Sequence, residues 1–128
     1  MSSNIKTVPT ADYDAVVEVV SAYVDGLRVG DAKLVARAFH PDAVMYGFTN
    51  GAPLGGSIAN LYDFVSANGD APEIKTRLDV LSITPTTAVV RVDMEKDAID
   101  ADYTDFHTLL KAGGGWQVIA KVYHQYDS

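Results

Sequence analysis

The sequence contains no cysteine, which removes disulfides and thiolate metal centres and leaves the redox compartment open. Basic residues are few. Ten Lys and Arg against 17 Asp and Glu give a formal net charge of −7, and the ten are scattered, so electrostatic capture of nucleic acid or of an anionic membrane is disfavoured. Long hydrophobic runs are missing as well: no stretch approaches the roughly 20 residues of a membrane span. Met1 to Pro9 is polar, with a lone Lys6, and lacks the apolar core of a signal peptide. A soluble, cytoplasmic protein is expected. The Gly-rich segments Gly51 to Gly56 and Gly113 to Gly115 are not followed by the Lys-Ser/Thr of a phosphate loop, and Ser57 has no nucleophile elbow around it. The acids Asp93, Glu95, Asp97, Asp100 and Asp102 lack the spacing and glycine of a calcium loop, and read as a solvated hairpin tip.

What is present suffices for one domain. The 128 residues are 48% hydrophobic, enough for one proper core and too few for two; residues 1–9 are expected to form a disordered tail and 10–128 the domain. Between Thr10 and Val29 the residues Tyr13, Val16, Val17, Val20, Tyr23, Val24 and Leu27 fall at helical spacing, with Thr10 as a candidate N-cap and Gly30 as the left-handed stop. Asp31 caps a short second helix, predicted over Ala32 to Phe39, with His40 at its C-terminal end. A short strand, Asp42 to Phe48, precedes an irregular loop from Thr49 to Gly56, and Ser57 caps a third helix closed by Gly69. Period-2 alternation then marks Glu73 to Thr84, Ala88 to Glu95 and a terminal hairpin from Tyr103 to Tyr126, turned at Ala112-Gly113-Gly114-Gly115.

Three helices, one short strand among them and a four-stranded meander predict an α+β domain. Its helices cover one face of a strongly bent, mostly antiparallel sheet. The hairpin has apolar residues on both faces. Simple alternation puts Tyr103, Asp105, His107 and Leu109 together on the first strand, and Trp116, Val118, Ala120, Val122, His124 and Tyr126 together on the second. One face can take the helices; the other can take a second copy, so a homodimer through the sheet is expected.

The order of elements, with Tyr23 to Asp31 (YVDGLRVGD), Phe39 to Ala43 (FHPDA), Tyr103 to Lys111 (YTDFHTLLK) and Gly114 to His124 (GGWQVIAKVYH), resembles the nuclear-transport-factor-2-like, cystatin-like superfamily of α+β cones. Within it the chain is most similar to the lumazine-binding-like branch, related to ketosteroid isomerase. The resemblance implies a pocket between the concave sheet and the helices. It places Tyr23 at the catalytic tyrosine of the isomerase, His107 at its second carboxylic acid and Gly47 at its general-base aspartate, so isomerase chemistry in that form lacks its base.

Candidate acid–base groups are therefore Tyr23, Asp105, His107 and His124, because alternation allows the last three to point into the cone, and a carboxylate beside an imidazole supports proton transfer near neutral pH. Tyr23, His107 and His124 are expected to line one cavity with Asp105 at its edge, and Met45, Phe48, Tyr62 and Trp116 to supply ligand-binding surface. No metal is expected, since the remaining histidine, His40, suits a helix C-terminus, and no organic cofactor. Three readings stay open: a binder of a planar or aromatic small molecule, a cofactor-free isomerase, cyclase or dehydratase, and a dimerisation module with no ligand. A pocket well below about 300 Å³ would leave no room for an ordinary ligand.

Overall fold

The computed structural model describes residues 5–127. Three helices, α1 (Thr10–Val29), α2 (Ala32–Ala36) and α3 (Ala59–Asn68), lie with six strands, β1 (Phe39–Thr49), β2 (Ala52–Ser57), β3 (Lys75–Ile83), β4 (Thr87–Glu95), β5 (Tyr103–Ala112) and β6 (Gly115–Gln125). The strand order is β2-β1-β6-β5-β4-β3, antiparallel except where β1 runs parallel to β6. The α+β class and the three helices on a mostly antiparallel sheet are as expected. No helix of the described residues is long and apolar enough to cross a membrane.

Helix termini follow local chemistry. Gly30 takes a left-handed φ of 72° and closes α1, and Asp31 Oδ1 accepts the N–H groups of Lys33 and Leu34 at 2.9 and 3.2 Å. Thr10 is the first helical residue rather than the cap; Pro9 precedes it and its carbonyl accepts from the Asp12 N–H. Of the expected disordered tail, residues 1–4 lie outside the described residues. Residues 5–9 have no helix or strand, although Val8 is buried.

Two element boundaries differ from the pattern. The second helix stops at Ala36, because the Ala38 carbonyl accepts from the Val118 N–H and Phe39 pairs with Val118, drawing the segment into the sheet. The stretch predicted as an irregular loop is a hairpin instead. Asn50 and Gly51, with φ of 52° and 77°, form a two-residue turn that folds β2 back on β1. The sequence Ala52–Ser57 has little strand propensity, and Pro53 is tolerated because β2 is an edge strand.

The core fills the concave side. Val16, Val20, Val24 and Leu27 of α1 and Leu61 and Val65 of α3 meet Val90 and Val92 of β4, Leu109 of β5 and Val118 of β6. In β6 the alternation breaks. Leu109 pairs with Val118 and Thr108 with Ala120, so Ile119 is an extra residue, and from there on the strand shows its other parity to the core. Trp116 and Val118 are buried before the bulge; Lys121 and Tyr123 are buried after it.

The convex face is left with Val44, Tyr46 and Phe48 of β1, Val122 of β6 and Phe106 and Leu110 of β5 exposed side by side. Helices cover only the other side, and a contiguous apolar surface across three strands is of the kind that a second copy buries. Sedimentation at micromolar concentration is expected to give a dimer, and Val122→Glu, which sets a charge in the middle of this surface, to shift it toward monomer; a wild-type monomer would rule the pairing out.

Candidate active site

A cavity of about 190 Å³ opens between the helices and the concave sheet. Its walls are mainly apolar, with Leu27, Met45, Leu61, Phe64 and Met94 among them, and its polar groups include Tyr23, Asp97, Asp105 and Lys121 together with Tyr103, Tyr123 and Gln125. The volume falls below the range for drug-sized ligands but exceeds the roughly 150 Å³ in which a dry protein cavity takes up benzene. Below about 300 Å³ it leaves no room for a ligand of ordinary size, and at most a molecule of about one ring fits.

Asp105 is the centre of the polar set. Its side chain is 1% exposed, pointing inward from β5. Tyr23 Oη, reaching across from α1, donates to Asp105 Oδ2 at 2.9 Å, and His107 Nε2 lies 3.3 Å from the same oxygen. Residues two apart on a strand stand about 7 Å apart at Cα; the side chains close that gap. Asp105 Oδ1 and His107 Nδ1 have no partner among the described residues. Lys121 Nζ enters from β6, 4.2 Å from the centre of the Tyr123 ring and 5.9 Å from that of Tyr23. Among the described residues its hydrogen bond is to Met45 Sδ, at 3.7 Å.

Burial sets the protonation states. Desolvation opposes charge on Asp105, but the Lys121 cation and the hydrogen bonds from His107 and Tyr23 outweigh it, and the carboxyl is held below its ordinary pKa. Burial lowers the pKa of His107, with Asp105 opposing, so the ring is neutral; its Nε2 faces a carboxylate and carries the proton. Lys121 is pushed down by burial, against the pull of Asp105 and Asp97. Burial and the Asp105 charge raise the Tyr23 hydroxyl well above its ordinary value, keeping it a donor.

The expected site residues separate. Tyr23, Asp105 and Met45 line the cavity. His107 lies fully buried behind Asp105, touching Tyr23 (4.9 Å between ring centres) rather than the cavity. His124 is displaced entirely: the Ile119 bulge turns it to the convex face, opposite Thr104 and against Tyr126, so it cannot join His107 in one site. Phe48 is exposed on that same convex face. Tyr62 packs its edge on Phe39, and Trp116 sits at the far end of the hairpin under Lys111, neither one lining the cavity. His40 stands in β1 rather than at a helix end, its Nδ1 accepting from the Asp42 N–H.

Lys121 and Tyr123 were the residues that alternation hid. The available signal was a single cation inside the otherwise apolar run Val118 to Tyr123. Asp97, grouped above with a solvated tip, instead lines the cavity from the β4–β5 loop, its Oδ1 accepting from Ile99 and Ala101 N–H groups. At Gly47, a side chain would collide with the Tyr123 ring and carbonyl. The position of the isomerase base is thus filled by the neighbouring tyrosine.

The neutral state of His107 has a consequence for stability. Its folded pKa lies below the ordinary 6.5, so this contribution is complete above pH 6.5 and is lost as pH falls from there toward the folded value, where the unfolded chain binds the extra proton. Thermal melts are expected to drop between pH 7 and 5, and His107→Gln to flatten that slope; an equal slope in both proteins would contradict a buried neutral ring.

Comparison with known proteins follows the same geometry. The profile of the family described as "Putative lumazine-binding" matches residues 11–124. The chain is 40% identical over 121 residues to Aldolase FrzH of Cladobotryum sp, covering 94% of this chain and 97% of that one. A nuclear-transport-factor-2-like protein of unknown function from Shewanella baltica OS155 superposes with a TM-score of 0.89 at 32% identity, over 96% of this chain and all of that one. A ketosteroid isomerase-like protein from Erwinia carotovora atroseptica, at 19% identity, TM-score 0.68 and coverage of 90% and 96%, shares the fold. With the profile spanning nearly all of the domain, the chain belongs to this lumazine-binding-like family of nuclear-transport-factor-2-like proteins.

Proposed function

We propose that this protein is an enzyme of the aldol type, which removes a proton from the carbon beside a carbonyl in a small, largely apolar ring compound and makes or breaks a carbon–carbon bond there. The observation that carries the reading is the convergence of a buried carboxylate, a phenol and a buried amine on one end of an apolar cavity. The 40% identity to a protein named as an aldolase supports the same class.

Asp105 is the proton acceptor. Oδ2 is occupied by Tyr23 and His107, while Oδ1 is buried with no partner among the described residues, and the residue lines the cavity. A carboxylate withdrawn from water and held by fixed donors needs no solvent rearrangement when it takes a proton. Tyr23 and His107 orient it, and His107, outside the cavity, is a positioning residue. The carbonyl sits by Lys121, where charge develops as the proton leaves. Neither a binder of a planar or aromatic small molecule nor a bare dimerisation module gives a reason to bury three ionisable groups in one place, because each costs desolvation that an apolar core would avoid. The cavity size selects a compound of about one ring.

Cyclohexanone is a fitting probe, and exchange of its α-hydrogens in deuterium oxide reads the proton step without an aldol partner. The wild type is expected to accelerate exchange above buffer at pH 7, and Asp105→Asn to lose about 100-fold or more of that rate. Exchange at the buffer rate in the wild type, or exchange unchanged in Asp105→Asn, would overturn the reading.

A further inference from the structure

We infer that Lys121 is a nucleophile that joins the carbonyl substrate covalently as an imine, so that the proton lost to Asp105 leaves an enamine rather than a free enolate. This rests on the aldol reading above and names the group that would hold its substrate.

The placement of the nitrogen is the argument. Lys121 is 5% exposed, yet it lines the cavity, and its Nζ has no oxygen acceptor among the described residues. A structural lysine at this depth is expected to pair with a carboxylate, since an ammonium has three donors to satisfy. Asp105 is close enough to influence it but commits Oδ2 to Tyr23 and His107, and makes no ion pair with it within 4.0 Å. What surrounds Nζ instead is a thioether and two aromatic rings. Such a pocket restrains the side chain without pairing its nitrogen to an oxygen acceptor. The resting cation that keeps Asp105 charged must release a proton to solvent before it attacks carbonyl carbon, and desolvation, which lowers the Lys121 pKa, eases that release.

The step balances without another reagent. Neutral Nζ adds to the carbonyl carbon, and one nitrogen proton passes to the oxygen, giving a carbinolamine. Its hydroxyl leaves with a proton drawn from solvent, as water, and a protonated imine remains. Asp105 then takes the α-proton, the electron pair of that C–H bond becomes the carbon–carbon double bond, and the π pair of the C=N bond moves onto nitrogen to give the enamine. After reaction at carbon, water hydrolyses the imine and returns both the carbonyl and the amine. Asp105 is the neighbouring base from β5 whose register partner Tyr123 is two residues from Lys121 on β6, a diagonal relation that places both side chains on one face.

The test is reductive trapping. Protein at pH 7 is incubated with cyclohexanone and cyanoborohydride and mapped by peptide mass spectrometry, beside the deuterium exchange measurement on the same samples. A single cyclohexyl adduct on Lys121, absent from the exposed lysines, is expected. Lys121→Gln and Lys121→Met are both to be tried, so that at least one folded variant, judged by circular dichroism, is compared. In a folded variant the adduct should vanish and exchange should fall at least 100-fold. Exchange without an adduct at Lys121, or exchange that survives Lys121→Met, overturns the imine while leaving Asp105 as base. An adduct without exchange keeps the imine and overturns the aldol reading. Absence of both overturns both.

Discussion

The fold has to keep the Asp105 carboxylate charged inside a hydrophobic cone, and much of the arrangement around it follows from that demand. An isolated carboxylate in an apolar interior would protonate. Here α1 supplies the Tyr23 hydroxyl from 82 residues away, β5 the His107 imidazole and β6, the other strand of the same hairpin, the Lys121 cation, so helix and hairpin are tied to one side chain. A hydrogen bond to a charged group contributes about 1.5–3 kcal/mol. The Tyr23 bond thus locks the long helix against the sheet at the same place where it orients the base.

The second constraint is parity. Ile119 is one residue too many for its partner strand, and that single insertion decides which side chains of β6 see the cavity. Before it, Trp116 and Val118 point in; after it, Lys121 and Tyr123 do. Gly47 completes the exchange, since the absence of a side chain on β1 admits the Tyr123 ring, and the Tyr123 hydroxyl in turn bonds Thr49 Oγ1 at 3.0 Å.

The sequence carried the helices, the meander and the inward face of β5, because each rests on local chemistry: a Gly30 stop, an Asp31 cap, and uninterrupted alternation from Tyr103 to Leu110. The inward burial of Tyr23, Asp105 and His107 follows from that, but not their arrangement, since Asp105, expected at the cavity's edge, lines it while His107, expected to line it, does not. His124 was not legible, because alternation counts residues and a bulge adds one without any mark in composition. The β1–β2 hairpin was hidden differently: Asn50-Gly51 is a strong turn signal, but the strand after it contains Pro53, Gly55 and Gly56, which only an edge position accommodates. Lys121 is missing from the expected site because alternation sets it on the face opposite His124, on a strand whose register changes at Ile119.

The charge state of Asp105 is the central claim, and it can be read directly from the side-chain 13C resonance of aspartate-labelled protein across pH. Assigned by comparison with Asp105→Asn, the signal is expected to remain that of a carboxylate from pH 7 to below 3.8, the ordinary value from which it is lowered. A midpoint above 3.8 would show that desolvation prevails over Lys121, His107 and Tyr23, and would contradict the account of how this site is held.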